Sequence, residues 1–441
     1  MQRRKFVKTL AAAAVAAQAL PQAGEAMEDQ LARLSADLNE PTIGGKKWQR
    51  VRSEFTLNQG ITHFNTGSVG AVPRVVIDTV CQYMRQDQID PYSKAFESAP
   101  SVGPNLVREK AAEFLGVDVD EVTVTRNTTE GMNQVATGLH LNRGDEVLTT
   151  NHEHGGGMIC WQYLAKHHGV KIRYIKMPNP VVDKAEILEL IEENITPRTR
   201  VCSFSHIDTI TGLQMPMADI AKITRPKDIL LVCDGAQGPG MLDVNLRALG
   251  VDTYASSSHK WLLAPKGSGL LYIRREVQDR IQPVMFFHTG GTGKGLSAYG
   301  AASGSRNVPH ILGHGVAIDF HNAIGRTNVE TRCRALSQLV RQRLREIPAL
   351  KLLTPEEPEL SSGMVAFALD PAKGNNGEIF ARFRAEHNII LKPAQGTYAY
   401  VPAEDVPAAR PNYNAIRIST HIFNSKDEIE KMAELMKKML A

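Results

Sequence analysis

VDTYASSSHKWLLAPKGSGLLYIRR, residues 251–275, decides how this chain is to be read. VDTYASSS alternates as a strand should, SGLLYIRR reads as a second strand, and Lys260 lies on the short connection between them. Both strands are expected to be buried. A lysine so placed costs free energy unless it is paired, neutral or covalently modified. Most loop lysines are solvated surface charges; this setting favours chemistry.

The same rhythm extends upstream. Strand-like runs stand at EVTVT (121–125), DEVLTT (145–150), VKIRYI (170–175), RVCSFSHI (200–207) and DILLVCDGA (228–236). Helical stretches lie between most of them: EGMNQVATGLH, MICWQYLAKHH, KAEILELIEE and MADIAKIT. Such alternation predicts an α/β fold of βαβ units, a mainly parallel sheet flanked by helices. Beyond residue 325 the pattern changes. A long basic helix over 329–346 precedes GMVAFAL, NIILKP and NAIRIST, which predict a smaller C-terminal α+β domain. The expected organisation is a signal segment over 1–26, an N-terminal segment over 27–74, a large domain over 75–320 and a small domain over 321–441.

Ligands of parallel sheets bind beyond the carboxyl ends of the strands, so the residues after each strand are the ones to read. After Thr125 come Arg126, Asn127, Thr128 and Thr129, opening a helix whose free N–H groups and hydroxyls suit a phosphate or a simple N-cap. After Thr150 come His152, Glu153 and His154, then three glycines. His-x-His can bind a metal, but no supporting spacing of carboxylate and histidine follows, and none is expected here; stacking of an imidazole on a flat ring is the alternative. Asp234 ends the most apolar strand and needs a cationic partner, a requirement that a protonated pyridine nitrogen would meet. Ser257 and His259 flank Lys260 and can both donate to a phosphate. GGTGKG at 290–295 resembles a phosphate loop but lacks the Ser or Thr after its lysine. Phosphate donors, an imidazole, a buried aspartate and a lysine, in this order along one sheet, describe a site for pyridoxal 5'-phosphate.

Composition narrows the partners. With 51 basic and 47 acidic side chains the net charge of +4 leaves no broad basic face, and no nucleic-acid-binding motif is present. Nucleic acid is not an expected partner. Five widely spaced cysteines without a CxxC pair predict neither a disulfide framework nor a zinc site. The start, MQRRKFVKTLAAAAVAAQALPQAGEA, joins a basic head to a short apolar stretch and small residues suited to cleavage near Met27. Arg3 and Arg4 followed by Phe6 resemble a twin-arginine export signal. The expected location is therefore periplasmic or secreted, reached through the twin-arginine machinery with the chain already folded.

FNTGSVGAVP, NTTEGMN, HEHGGG followed by WQ, HIDTITG, CDGAQG, SSSHKW, SGSRNVP and IRISTHIFN stand in one order along residues 63–425. In these stretches the sequence resembles the class V aminotransferases of fold type I, and within them the isopenicillin N epimerase-like group. The resemblance implies that Lys260 forms the internal aldimine, Asp234 pairs with the pyridine nitrogen, Gln237 contacts the phenolic oxygen and His154 stacks on the ring. It implies that Thr128, Thr129, Ser257 and His259 hold the phosphate, with Ser305 reaching the partner subunit's cofactor in a homodimer. It also implies that Arg417 clasps the substrate α-carboxylate with its planar fork. Thr209 stands where desulfurase relatives carry an asparagine, which leaves that contact open.

The chemistry implied is an α-carbanion, a quinonoid species delocalised into the cofactor, with Lys260 as general base. Epimerisation, transamination and β-elimination all branch from it. Residues 391–414 contain no cysteine, which argues against persulfide chemistry of the desulfurase type. A secreted binding protein that has lost catalysis is the rival reading, opposed by the joint presence of Lys260, Asp234 and Arg417. His288, Arg306, Lys392, Tyr398 and Tyr400 are candidates to line the substrate pocket.

Overall fold

A computed structural model of the chain describes residues 23–39, 46–57, 60–89, 91, 103–181, 183–284, 296, 306–394 and 413–441. Residues 1–22 of the export-like segment, Ser305, His288, Tyr398 and Tyr400 lie outside the described residues. The expected cleavage region near Met27 falls within the helix Ala23–Asn39.

A short strand, β1 (Thr62–His63), precedes the main sheet. That sheet contains β2 (Val122–Thr125), β3 (Glu146–Thr150), β4 (Lys171–Ile175), β5 (Thr199–Ser205), β6 (Leu230–Asp234), β7 (Thr253–Ser257) and β8 (Gly269–Ile273). Their spatial order is β2-β8-β7-β6-β5-β3-β4, and only β8 runs antiparallel to its neighbours. Alternation along the strands splits the core between two faces. Leu148, Cys202, Leu231, Cys233 and Tyr254 join one apolar cluster, and Val147, Val201, Val232, Ala255 and Leu271 join another. Covering both faces explains why β6 is a continuous apolar run, all five residues of which are buried.

The smaller sheet comprises β9 (Leu350–Leu352), β10 (Met364–Leu369), β12 (Lys392–Ala394) and β13 (Ala415–Ser419), antiparallel in the order β12-β13-β10-β9. β11 (Ile389–Ile390) pairs instead with β1, in parallel. The long basic helix covers Arg326–Arg345, starting three residues before its expected position. With the helix Lys426–Leu440 it packs on this sheet through Leu336, Val340, Met432 and Met436.

β1 matters for function because it carries the following turn into the gap between the two sheets. Phe64 joins the apolar cluster of the smaller sheet, and the Ser419 N–H donates to the Phe64 carbonyl at 2.8 Å. A few residues later the Gly70 N–H donates to the His259 carbonyl at 2.9 Å. Thus Asn65 to Gly70 tie β13 to the loop that bears Lys260. The helix Val308–Ile324, which no amphipathic pattern announces, is buried along most of its length against the helices Arg74–Ile89 and Gly103–Leu115.

Candidate active site

The carboxyl ends of β6 and β7 build one wall. Asp234, the last residue of β6, is buried, and its Oδ1 accepts the Ala236 N–H at 3.0 Å. Burial raises its pKa, and the charge of Lys260 opposes that rise. Lys260 is half-buried, its N–H donating to the Ser257 carbonyl at 3.2 Å. Burial pushes its amine down to about 8; Asp234 resists the fall and Arg417 adds to it. The pair are therefore within electrostatic reach of each other, with Arg417 close by.

The loop holding Lys260 is tightly seated. Leu263 has φ +58°, a left-handed conformation that costs a branched residue on the order of 1 kcal/mol and is tolerated where packing fixes it. A Cβ on Gly70 would lie 2.0 Å from the Lys260 carbonyl oxygen, so only glycine lets the turn from β1 approach.

Beside the lysine, Ser257 joins the helix Thr128–Gly138. The Thr128 N–H donates to Ser257 Oγ at 3.0 Å, and the two hydroxyl oxygens lie 2.8 Å apart. Asn127 caps the helix by accepting the Glu130 N–H at 2.9 Å. The next helix, Gly155–His168, begins at His154, whose Nδ1 accepts the Gly156 N–H at 3.0 Å. A Cβ on Gly156 would stand 2.6 Å from Thr129 Oγ1, and one on Gly157 would stand 2.6 Å from Asp234 Oδ2. These glycines hold open the space between the two helix N-termini and the aspartate.

Arg417 forms the opposite wall. It is buried on β13, and its NH1 donates to Thr209 Oγ1 at 2.6 Å and to the Thr209 carbonyl at 3.1 Å. Its NH2 donates to Asn65 Oδ1 at 3.2 Å and to Ser68 Oγ at 3.1 Å. Four oxygens from two segments thus fix the guanidinium plane.

The comparisons with known proteins fit this geometry. The family model for aminotransferase class-V matches residues 64–432. The chain belongs to the class-V aminotransferase family. It is similar to isopenicillin N epimerase of Amycolatopsis lactamdurans, with 32% identity over 89% of this chain and 98% of the relative. The isopenicillin N epimerase of Streptomyces clavuligerus is 30% identical over 88% and 97% of the two chains. In fold it is similar to the cysteine desulfurase of Thermococcus onnurineus, at a TM-score of 0.76 and 23% identity, over 89% of this chain and 98% of that one. The fold is therefore that of the pyridoxal-phosphate enzymes of fold type I, and this class-V enzyme takes pyridoxal phosphate as its cofactor.

The residues present fit that group. His259 Nδ1 and Ser258 Oγ are buried without a hydrogen-bond partner among the described residues, beside the Thr128–Ser257 pair. Unsatisfied buried donors are costly, and a phosphate would satisfy them. Asp234 supplies a buried carboxylate, and the bare faces of Gly156 and Gly157 leave room between it and Thr129. Gln237 is buried beside them: its Nε2 donates to the Gly67 carbonyl at 3.0 Å, and its Oε1 accepts the Trp261 indole N–H at 2.6 Å. In this arrangement both ends of its amide bind protein.

The remaining candidates separate. Lys392 on β12 sits opposite Arg417 in the sheet register. Arg306 donates to the Val124 carbonyl at 2.9 Å, which ties it to the end of β2. Thr209 is a partner of Arg417.

Sequence reasoning missed a second set of strand-end groups. His152 and Asp208, after β3 and β5, are buried and bonded to each other, and His152 also meets Tyr413. Glu153, bonded by Ser205 and Thr150, is pushed up to about 8 by burial, with Asp234 and Asp208 adding to the effect. The legible signal was HEH after a buried strand: neighbouring polar side chains there must each find a partner.

Proposed function

We propose that this enzyme acts on an amino acid, or on a small molecule or peptide that carries one, by removing its α-proton, in the manner of an isopenicillin N epimerase-like enzyme or an aminotransferase. The convergence of Lys260, Asp234 and Arg417 on one cleft carries this reading. When bound, pyridoxal phosphate supplies an electron sink for the pair left behind by the α-proton.

The chain's own groups do the rest. Arg417, its plane fixed by Thr209, Asn65 and Ser68, clasps the α-carboxylate. Asp234 keeps a positive charge at the pyridine nitrogen. Lys260 holds the cofactor between turnovers and then acts as base, helped by an amine depressed to about 8, so that half of it is unprotonated at that pH. Thr128, Thr129, Ser257 and His259 hold the phosphate, His154 covers the ring, and Gln237 offers the second hydrogen of its Nε2 amide to the phenolic oxygen.

A desulfurase-like persulfide route has less support, although a probable cysteine desulfurase of Methanothermobacter thermautotrophicus is 26% identical over 88% of this chain. Residues 391–414 lack cysteine, and burial raises the thiols of Cys160, Cys202 and Cys333 to about 12 and holds that of Cys233 well above its usual value. Elimination without a protein thiol remains the second reading. The test is a spectral titration of holoenzyme with α-amino acids and amino-terminal peptides, followed by product analysis. A D-isomer supports epimerisation, a keto acid supports transamination and a sulfur or other leaving group supports elimination. A spectrum indifferent to every amine tested overturns the proposal.

The same reading includes a homodimer, with Ser305 and Arg306 serving the partner's site. Sedimentation that finds a fully active monomer overturns it. It also includes twin-arginine export to the periplasm, for which Arg3 and Arg4 are the observation. Replacing both by lysine should leave active holoenzyme in the cytoplasm; unchanged export overturns the assignment.

A further inference from the structure

His152 Nδ1 lies 2.9 Å from Asp208 Oδ2, and His152 Nε2 lies 3.1 Å from the Tyr413 hydroxyl. Asp208 is also bonded by the Ile210 N–H at 2.7 Å, the Thr211 N–H at 3.2 Å and the Thr211 hydroxyl. Burial alone would raise the Asp208 carboxyl, but His152 and these donors overcome it and hold the pKa below its usual value. The ionised Asp208 carboxylate can only accept, so His152 Nδ1–H donates to it; the tautomer with its proton there leaves Nε2 bare. Nε2 is then the acceptor, and the Tyr413 hydroxyl donates to it. The two rings meet edge to face, with centroids 5.8 Å apart.

Sheet order gives this chain of groups a direction. Lys260 follows β7, which flanks the Asp234 strand β6 on one side; Asp208 follows β5, which flanks it on the other, and His152 follows β3 beyond. The neighbouring Thr209 holds Arg417, four residues after Tyr413 in the chain. The Asp208–Thr209 pair therefore fastens both the carboxylate clasp and, through His152, the tyrosine.

We propose that Tyr413 is a second proton-transferring group, serving the substrate α-carbon from the flank opposite Lys260, with His152 and Asp208 as its positioning residues. This rests on the α-proton reading above. Acting as base, the Tyr413 oxygen takes the α-proton while its own hydroxyl proton passes to His152 Nε2. The C–H electron pair is left on the substrate carbon, where the bound cofactor would delocalise it, and the imidazolium is balanced by the Asp208 carboxylate. Acting as acid, the same steps run backward, while Lys260 handles the proton of the other enantiomer.

The experiment uses holoenzyme in D₂O with the separate L and D forms of the proteinogenic α-amino acids, scoring deuterium at the α-carbon by NMR. Cofactor absorbance confirms that each variant is loaded. Tyr413→Phe should slow exchange from one enantiomer by about 10²-fold or more, within the range for acid–base catalysis, and leave the other largely intact. His152→Gln and Asp208→Asn should strike the same enantiomer, with KM less affected than kcat. Lys260→Ala should abolish exchange from the other. Equal losses at both enantiomers reduce the three residues to structural supports and overturn the proposal. Indifference of Tyr413→Phe beside normal exchange through Lys260 overturns it too, leaving the α-proton reading standing. Wild-type holoenzyme that exchanges neither enantiomer of any amino acid overturns both.

Discussion

The two walls of the cleft are built differently. The cofactor wall comes from successive strand ends of one sheet: Asp234 from β6, Ser257 to Lys260 from β7, and Thr128 from the helix after β2. The substrate wall is assembled across the molecule, with Arg417 on β13 held by Thr209 after β5 and by Asn65 and Ser68 after β1. The strands of the first wall are positioned by backbone pairing with their neighbours. The second depends on side chains that meet over sequence separations of 208 and more residues. The first wall should therefore survive single substitutions as a frame and lose chemistry, whereas the second should lose binding.

Lys260→Ala tests that contrast most severely. Turnover should fall by at least the roughly 10²- to 10⁴-fold owed to a positioned base, and further because the covalent anchor is also lost. Cofactor should still bind through Thr128, Ser257 and His259, but borohydride should no longer fix it. Absorbance and peptide mapping of the reduced protein check this; an adduct on another lysine would dissolve the first wall as drawn. In the wild-type apoenzyme, capture of the cofactor should speed up as pH rises through about 8, because the unprotonated amine is the nucleophile. Asp234→Asn should move that midpoint lower, since Asp234 is what keeps the amine from falling further.

Acid should undo the frame behind both walls. His206 and His421 are depressed to about 4 and His314 and His321 to about 3, all by burial first. These rings are neutral in the fold, while an unfolded histidine binds a proton below about pH 6.5. Below that pH the unfolded chain takes up protons that the fold refuses, so stability falls with falling pH, by about 1.4 kcal/mol per histidine per pH unit until the folded values are reached. Thermal melts between pH 7 and 4 should show the loss. His421, packed against Trp261, belongs to the substrate side, and His206, bonded to Tyr254, to the cofactor side. Two separate melting steps would mean that the walls unfold independently.

Arg417→Ala is the corresponding test of the substrate wall. Amino-acid binding should weaken by about 1.5 to 3 kcal/mol, the range for a hydrogen bond to a charged group, while cofactor affinity stays within a few-fold. Parallel titrations of cofactor and amino acid check it. Loss of cofactor with retained substrate binding would exchange the two walls.

That architecture also explains what the sequence disclosed. Strands β2 to β8 were legible because each is a short apolar run bounded by turn residues, and Asp234 and Lys260 stood out as charges at the ends of such runs. The helix Val308–Ile324 was not legible, because burial on nearly all sides removes the amphipathic stripe. Arg417 could be named only through the family resemblance, since IRIS reads as an ordinary alternating strand. The His152–Asp208–Tyr413 chain escaped because its members lie 56 and 261 residues apart, and only the fold brings Tyr413, just before β13, to the residues that follow β3 and β5. The protein partners of Gln237 were likewise invisible until Trp261 and Gly67 were placed.

The smallest effect should come from Ser257→Ala, within the cofactor wall itself. Ser257 Oγ accepts the Thr128 N–H at 3.0 Å and pairs with the Thr128 hydroxyl at 2.8 Å. Its loss leaves one helix N-terminal donor unsatisfied, at a cost of roughly 1 to 3 kcal/mol in the cofactor-free protein if nothing else reaches it. In the loaded protein the hydroxyl that would donate to the phosphate is lost as well. The net weakening of cofactor binding should then be about 1 kcal/mol, the worth of one ordinary hydrogen bond, and stability of the holo form should fall by more than that of the apo form by the same amount. Paired melts of wild type and Ser257→Ala, with and without cofactor, measure both quantities. Equal losses in the two forms would show that the Thr128–Ser257 contact braces the helix and does not address the phosphate, and the cradle would rest on Thr129 and His259.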